Sequence, residues 1–227
     1  MLANLLTNGF SFENIIISLI VYALIILVCL PIHEFSHAFM AYKLGDSTAK
    51  NSGRCTLNPF AHLSLQGTIM ILIIGIGYAK PVPVNSWNFK KPKSGMALTA
   101  FAGPLSNLIL AFLALLISRI LAFFSQSVLI HLFLTQFAVI NISLAVFNLI
   151  PVPPLDGSKI LSALLPNKYY YLLQKHEQMI SMIFMGIIFA SMFLNIPIFG
   201  TIIGVPANAI LQGFQWFINL IFRIFGT

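Results

Sequence analysis

The apolar stretch IIISLIVYALIILVCLPIHEFSH at residues 15–37 carries three ionisable side chains near its end, His33, Glu34 and His37. Such side chains are costly at membrane depth and usually face a polar interior that uses them. Residues four apart share one face of a helix, so the two histidines can bind one metal ion. A glutamate directly after the first histidine completes the HExxH pattern, in which it acts as the general base of a metalloprotease. The stretch therefore predicts a membrane helix with a catalytic metal site.

The composition places the whole chain in the membrane. Of its 227 residues, 59% are hydrophobic and 7% are charged, whereas a soluble domain is about 45–50% apolar and about 25% charged. We expect a single membrane-embedded domain over residues 1–227, with a catalytic core at about 12–165 and C-terminal helices at about 170–225. The net charge of +7 comes from residues that flank apolar segments, which suits a lipid bilayer with anionic headgroups rather than nucleic acid.

The apolar segments predict an all-α polytopic membrane protein with about five to six transmembrane helices, because a span needs about 20 residues. The candidate spans are residues 12–42, 96–124, 128–150, 179–196 and 199–225. Residues 68–78 are apolar but short, and glycines and prolines interrupt and follow them. We expect a re-entrant or short β-like loop segment there, between the first and second full spans.

Lysine and arginine predict the orientation, because they are enriched in cytoplasmic loops. None precedes the first span, and seven lie between that span and the next: Lys43, Lys50, Arg54, Lys80, Lys90, Lys91 and Lys93. This bias favours the cell inner (cytoplasmic) membrane, with the active site toward the cytoplasmic side. A re-entrant segment at 68–78 would then bring Asp156 to the same leaflet as His33 and His37.

A third metal ligand is expected, because catalytic zinc has three protein ligands and an open position. Among the five acidic residues, Glu13 lies at the far end of the first span and Asp46 follows Gly45 as a turn residue. Glu177 is interpreted as part of a solvated helix start. Elimination favours Asp156, whose alternative role is to cap the helix that follows it.

The combination of HExxH with Asn148-x-x-Pro151-x-x-x-x-Asp156-Gly157 resembles the site-two protease family of intramembrane zinc metalloproteases, in particular its compact bacterial branch. The resemblance implies that His33, His37 and Asp156 hold one Zn²⁺ per chain and that Glu34 is the base. It implies that Asn148 stabilises the oxyanion or positions substrate, and a backbone-capping role for Asn148 is an equal alternative.

The resemblance also implies a transmembrane protein substrate, for example a single-span anti-sigma factor or a remnant signal peptide. One departure concerns His62, because relatives often have an aspartate two residues later where this chain has Ser64. We interpret His62 as structural, and Asn107 as a residue that forms a hydrogen bond between helices.

Two other classes of function compete with the protease. A membrane transporter could use the same polar residues, although no internal repeat of the HEFSH motif accompanies them. A catalytically inactive scaffold is the other alternative. The physiological substrate and the oligomeric state are left open by the sequence.

Overall fold

The computed structural model describes residues 20–21, 23–74, 79–124, 127–194 and 196–224, without the side chains of 71–74, 192 and 198. The chain divides into two compact units, Met1–Gly95 and Met96–Thr227. The described residues form helices joined by loops and contain no β-strand. Glu13 and the beginning of the predicted first span lie outside the described residues.

Nine α-helices follow one another along the described residues, together with a π-helical turn at Ile25–Cys29 and a 3₁₀ turn at Ser86–Asn88. They are α1 (Leu30–Lys43), α2 (Thr48–Asn51), α3 (Pro59–His62), α4 (Leu65–Ile74), α5 (Pro92–Leu121), α6 (Val128–Asn148), α7 (Asp156–Leu164), α8 (Asn167–Phe193) and α9 (Ile198–Ile224).

Three described segments are long and apolar enough to cross a membrane: Ile25–Lys43, Pro92–Leu121 and Val128–Asn148. They agree with the first three predicted spans. The last two predicted spans correspond to α8 and α9, each a helix of 27 residues, and their passage through the membrane stays a prediction. The protein is thus a helical membrane protein, as predicted.

The first unit is built around the helix that carries HExxH. The π-helical turn precedes α1, and the Leu30 amide donates to the carbonyl of Ile25. Pro31 follows as the second residue of α1 and has no amide proton to continue a regular ladder. The irregular turn and the proline together loosen the helix just before the motif. The short helices α2 and α3 pack against α1.

The second unit has its core between α5, α6 and α9. Small residues such as Ala111, Ala114 and Ala138 are buried there and allow the helices to approach closely. Asn107 in α5 donates through Nδ2 to Oδ1 of Asn141 in α6 at 2.9 Å, and both side chains are fully buried. The predicted interhelical hydrogen bond of Asn107 is therefore confirmed.

Helix α4 covers the described beginning of residues 68–78, and its 10 residues extend only about 15 Å, half the hydrocarbon thickness. Residues 75–78 lie outside the described residues, so the re-entrant course stays a prediction.

The prediction of a helix start near Glu177 is wrong, because α8 begins at Asn167. Residues 167–178 are more polar than the apolar stretch that follows them. They nevertheless include lysine, leucine and glutamine, which are good helix formers. The helix therefore extends well beyond the apolar stretch by which the span was located.

Candidate metal centre

His33 and His37 form the best-defined part of the candidate site. They lie one turn apart on α1 and are 5% and 8% exposed. Their Nε2 atoms are 3.0 Å apart, and their ring planes are nearly perpendicular, at 86°. Because the rings direct the same nitrogen toward a common point, both can bind one ion without rearrangement of the helix.

This donor pair fits zinc. Two imidazole nitrogens bound to one tetrahedral zinc at about 2.0–2.1 Å are themselves about 3.3 Å apart, close to the separation of the Nε2 atoms. His33, His37 and Asp156, which the sequence predicts as the third ligand, are each buried. Two imidazoles and one carboxylate are a donor set typical of catalytic zinc.

Glu34 lies beside this pair and is partly exposed. Its carboxylate interacts electrostatically with Arg54, a buried cation in the loop between α2 and α3. Burial lowers the pKa of Arg54, and the negative charge of Glu34 partly offsets that effect. The glutamate is therefore partly accessible to water and interacts with a positive charge.

Asp156 occupies the first position of α7 and is 8% exposed. The N-cap residue of this helix is Leu155, without a side-chain capping hydrogen bond. The alternative in which Asp156 is the N-cap is therefore wrong, because the helix begins one residue earlier than that role requires. An acidic residue in the first turn is still favoured by the helix dipole.

Asn148 is the last residue of α6 and is partly buried. Its Nδ2 donates to the carbonyl of Leu144 at 2.9 Å, within the same helix. This contact agrees with the backbone role considered for Asn148. An amide has a second N–H donor, so its role toward an oxyanion stays a prediction.

His62 has the structural role expected of it. The side chain is 1% exposed, and its Nε2 lies 2.7 Å from the carbonyl of Thr56. Its own carbonyl accepts a hydrogen bond from the Lys80 amide at 2.8 Å. These contacts tie α3 to two neighbouring loops.

Asp46 and Arg54 are important residues that the sequence patterns did not reveal. Asp46 is fully buried and accepts hydrogen bonds from Asn85 and Asn88. Arg54 donates to main-chain carbonyls of Ala61, Lys80 and Pro81. The signal in the sequence was a charged residue directly after a glycine, at Gly45-Asp46 and Gly53-Arg54.

Comparison with known proteins identifies the family to which this site belongs. The family model described as "Peptidase family M50" matches residues 21–126 and 123–194, well over half of the chain. The chain belongs to peptidase family M50. The M50 match includes the two histidines, the glutamate and the aspartate discussed above.

The M50 assignment is supported by curated relatives. The candidate zinc metalloprotease YwhC of Bacillus subtilis (strain 168) is 45% identical over 159 residues, which are 66% of this chain and 72% of YwhC. The candidate zinc metalloprotease Rip2 of Mycobacterium tuberculosis (strain ATCC 25618 / H37Rv) is 31% identical over 182 residues, 78% of this chain and 69% of Rip2.

A zinc metalloprotease of Methanocaldococcus jannaschii, MJ0392, is 30% identical over 164 residues, which are 72% of this chain and 40% of MJ0392. No solved structure matches the chain. The M50 chain is thus a zinc metallopeptidase of the membrane, as the resemblance implied.

Proposed function

We propose that this M50 peptidase hydrolyses peptide bonds within or near transmembrane segments of other membrane proteins. The observation that carries the proposal is the pair of buried imidazoles whose Nε2 atoms converge to 3.0 Å on a helix apolar enough to span a membrane. A reaction centre on such a helix is reached most directly by a substrate that is itself in the bilayer.

In this proposal His33, His37 and Asp156 hold the zinc ion. When bound, zinc acts as a Lewis acid that polarises the scissile carbonyl and makes water a better nucleophile near neutral pH. Glu34 takes the proton from the attacking water and delivers it to the leaving amine. Its place next to His33, outside the pair that binds metal, leaves the carboxylate free for this transfer.

Asn148 is proposed to donate a hydrogen bond to the oxyanion through the amide proton that Leu144 does not accept. A neutral donor suits a site with little water, because it stabilises negative charge without adding a buried cation. The amide already donates one hydrogen bond to the backbone of its own helix, which leaves its second N–H for the oxyanion.

The segment at residues 79–85 is proposed to align the substrate. A helical substrate must unwind before cleavage, and an extended peptide can then pair with the exposed edge of another extended segment. Residues 79–85 have no helical structure, and the exposed Pro81 and Pro83 alternate with the half-buried Val82 and Val84. Stiffening or deleting this segment should reduce cleavage and leave the zinc content unchanged; unaltered turnover would reject the alignment role.

The site is proposed to face the cytoplasm, in the cell inner membrane, on the basis of the lysines and arginines between the first two spans. Single-span proteins such as anti-sigma factors or remnant signal peptides are the substrate class that the family resemblance implies. The transmembrane helix of a single-span protein reaches the cytoplasmic leaflet at one end, where the active site is expected.

The test is peptide-bond cleavage by the wild type and by Glu34→Gln. The test substrates are a mixed set of single-span helices of about 20 apolar residues, with a central Gly/Pro break and randomised flanking residues. We expect the wild type to cleave members of the set and Glu34→Gln to lose about 10²–10⁴-fold in rate while retaining zinc.

Two results would count against the proposed function. Equal cleavage by both proteins would show that Glu34 is not the base. Absence of cleavage by the zinc-loaded wild type would favour a transporter or a scaffold, and zinc uptake into proteoliposomes would then separate these two.

A further inference from the structure

Arg54 joins two separate pieces of the first unit through their main chains. Its guanidinium donates through Nη1 to the carbonyl of Ala61 in α3, and through Nη2 to the carbonyls of Lys80 and Pro81, the latter at 3.3 Å. The Lys80 amide donates to the carbonyl of His62 beside it. The planar guanidinium thus holds α3 and the start of the 79–85 segment in one fixed arrangement.

The surroundings of Arg54 are unusual for a residue with only a structural role. The side chain is 6% exposed, and its three hydrogen-bond acceptors are neutral carbonyls. A buried cation is costly when no carboxylate pairs with it, and the negative charge of Glu34 offsets only part of this cost. The Nε–H is buried without a hydrogen-bond partner among the described residues. Arg54 therefore couples the charge of the proposed base to the backbone of the 79–85 segment.

The middle of that segment is open to pairing. Among the described residues, no backbone hydrogen bond involves the amides or carbonyls of Val82 and Val84. The far end is held by the Asn85 amide, which donates to Oδ2 of Asp46 at 2.7 Å. The segment is therefore fixed at both ends and has unpaired main-chain groups between them, as strand addition requires.

We propose that Arg54 is a positioning residue of the peptidase, which fixes the open edge at residues 82–84 so that a paired substrate is presented to Glu34. The inference rests on the proposed function. It assigns to Arg54 a geometric role, because an ammonium group on a lysine has the charge but cannot reach two carbonyls of separate segments with a rigid planar fork.

The experiment compares steady-state cleavage of the test substrates by the wild type, Arg54→Lys and Arg54→Gln. We expect both variants to raise KM about tenfold, to change kcat less than twofold and to retain zinc. Lys90→Gln is the matched control, since it removes an exposed cation of the first unit that lies outside the 79–85 segment, and it should leave KM and kcat unchanged.

Three outcomes overturn the inference. If Arg54→Lys has the KM and kcat of the wild type, a positive charge alone is enough at this position and the planar geometry of arginine is not needed. If the Arg54 variants lower kcat at constant KM, the residue acts on the chemical step and not on substrate positioning. Loss of zinc in both variants would indicate a general structural role. If the wild type does not cleave any test substrate, the proposed function itself is wrong. If the wild type cleaves and the Arg54 variants cleave equally well, only the role of Arg54 is wrong.

Amide hydrogen exchange tests the same inference without activity. In the wild type without substrate, the Lys80 amide should be protected from exchange, whereas the amides of Val82 and Val84 should exchange quickly. In the inactive Glu34→Gln variant, binding of a test substrate should protect the amides of Val82 and Val84. Arg54→Lys should accelerate exchange at Lys80 and leave α1 unchanged. If neither Arg54 variant folds, the absence of substrate-induced protection at Val82 and Val84 still overturns the inference.

Discussion

Asp46 shows how one side chain can organise a loop around a catalytic helix. Gly45 has φ of +110°, a conformation that favours glycine, and this turn at the end of α1 places Asp46 in the interior. The carboxylate then accepts hydrogen bonds from the backbone and hydroxyl of Thr48, from the Asn85 amide and from Nδ2 of Asn88. Burial by itself would raise the pKa of Asp46, but these hydrogen bonds together lower it.

Replacement of Asp46 by asparagine should destabilise the first unit by about 1–3 kcal/mol at pH 7, because an amide donor would face the Asn85 amide. Since the folded-state pKa of Asp46 is lowered, its contribution is present above the ordinary aspartate value of about 3.9. It is lost as the pH falls through the lower, folded-state value.

The measurement is reversible unfolding of the wild type and Asp46→Asn in detergent micelles as a function of pH. The stability difference should shrink as the pH falls below about 4. A difference that stays constant as the pH falls well below about 4 would contradict the ionised, hydrogen-bonded carboxylate.

The shared face of His33 and His37 was predictable from the sequence because it depends only on helical spacing within one turn. Asp46 was predicted as a simple turn residue, and the role of Arg54 was missed altogether. Their partners lie far along the chain, at Asn85 for Asp46 and at Lys80 for Arg54. No periodicity relates such positions, so only the folded chain reveals these contacts. The ligand role of Asp156 stays a prediction.

At the scale of elements, the start of α7 depends on close approach of two backbone segments. A Cβ atom at Gly157 would lie 2.3 Å from the carbonyl oxygen of Leu149 and 2.5 Å from that of Ile150. These are backbone atoms that cannot move aside as a side chain does. Glycine after Asp156 is therefore required by packing, and it fixes the aspartate at the helix start.

Gly157→Ala should destabilise the second unit by about 1–3 kcal/mol, as expected for overpacking, and reduce zinc occupancy by displacing Asp156. Gly186→Ala is the matched control, because nothing lies within 4 Å of a Cβ there and alanine favours a helix by about 1 kcal/mol. Unfolding and metal analysis of both variants provide the check. Equal zinc content and stability in the two variants would contradict the packing argument.

The helices themselves were largely predictable, since long apolar runs and helix-forming residues dominate the chain. Helix α6 was expected to end at 150 and ends at Asn148. Helix α9 begins at Ile198, one residue before the expected start at 199. The start of α8 was missed because hydropathy locates the apolar core of a helix and not the polar turns that continue it.

At the scale of the whole molecule, the orientation rests on seven lysines and arginines between the first two spans. The prediction places Lys91 on the cytoplasmic side and Val128 on the opposite side. Both positions are exposed, so cysteines introduced there can react with a membrane-impermeant maleimide once Cys55 is replaced by serine.

Inside-out vesicles should be labelled at Lys91→Cys, and right-side-out vesicles at Val128→Cys. The reverse pattern would contradict the cytoplasmic orientation. Labelling of both positions from one side would contradict the passage of α5 through the bilayer.

The number of zinc ions per folded chain tests whether His33, His37 and Asp156 hold one catalytic zinc. We predict about one zinc in the wild type and in Glu34→Gln, because the base is not a ligand, and nearly none in Asp156→Asn, because three protein ligands are required. Full zinc occupancy in Asp156→Asn would contradict this ligand set.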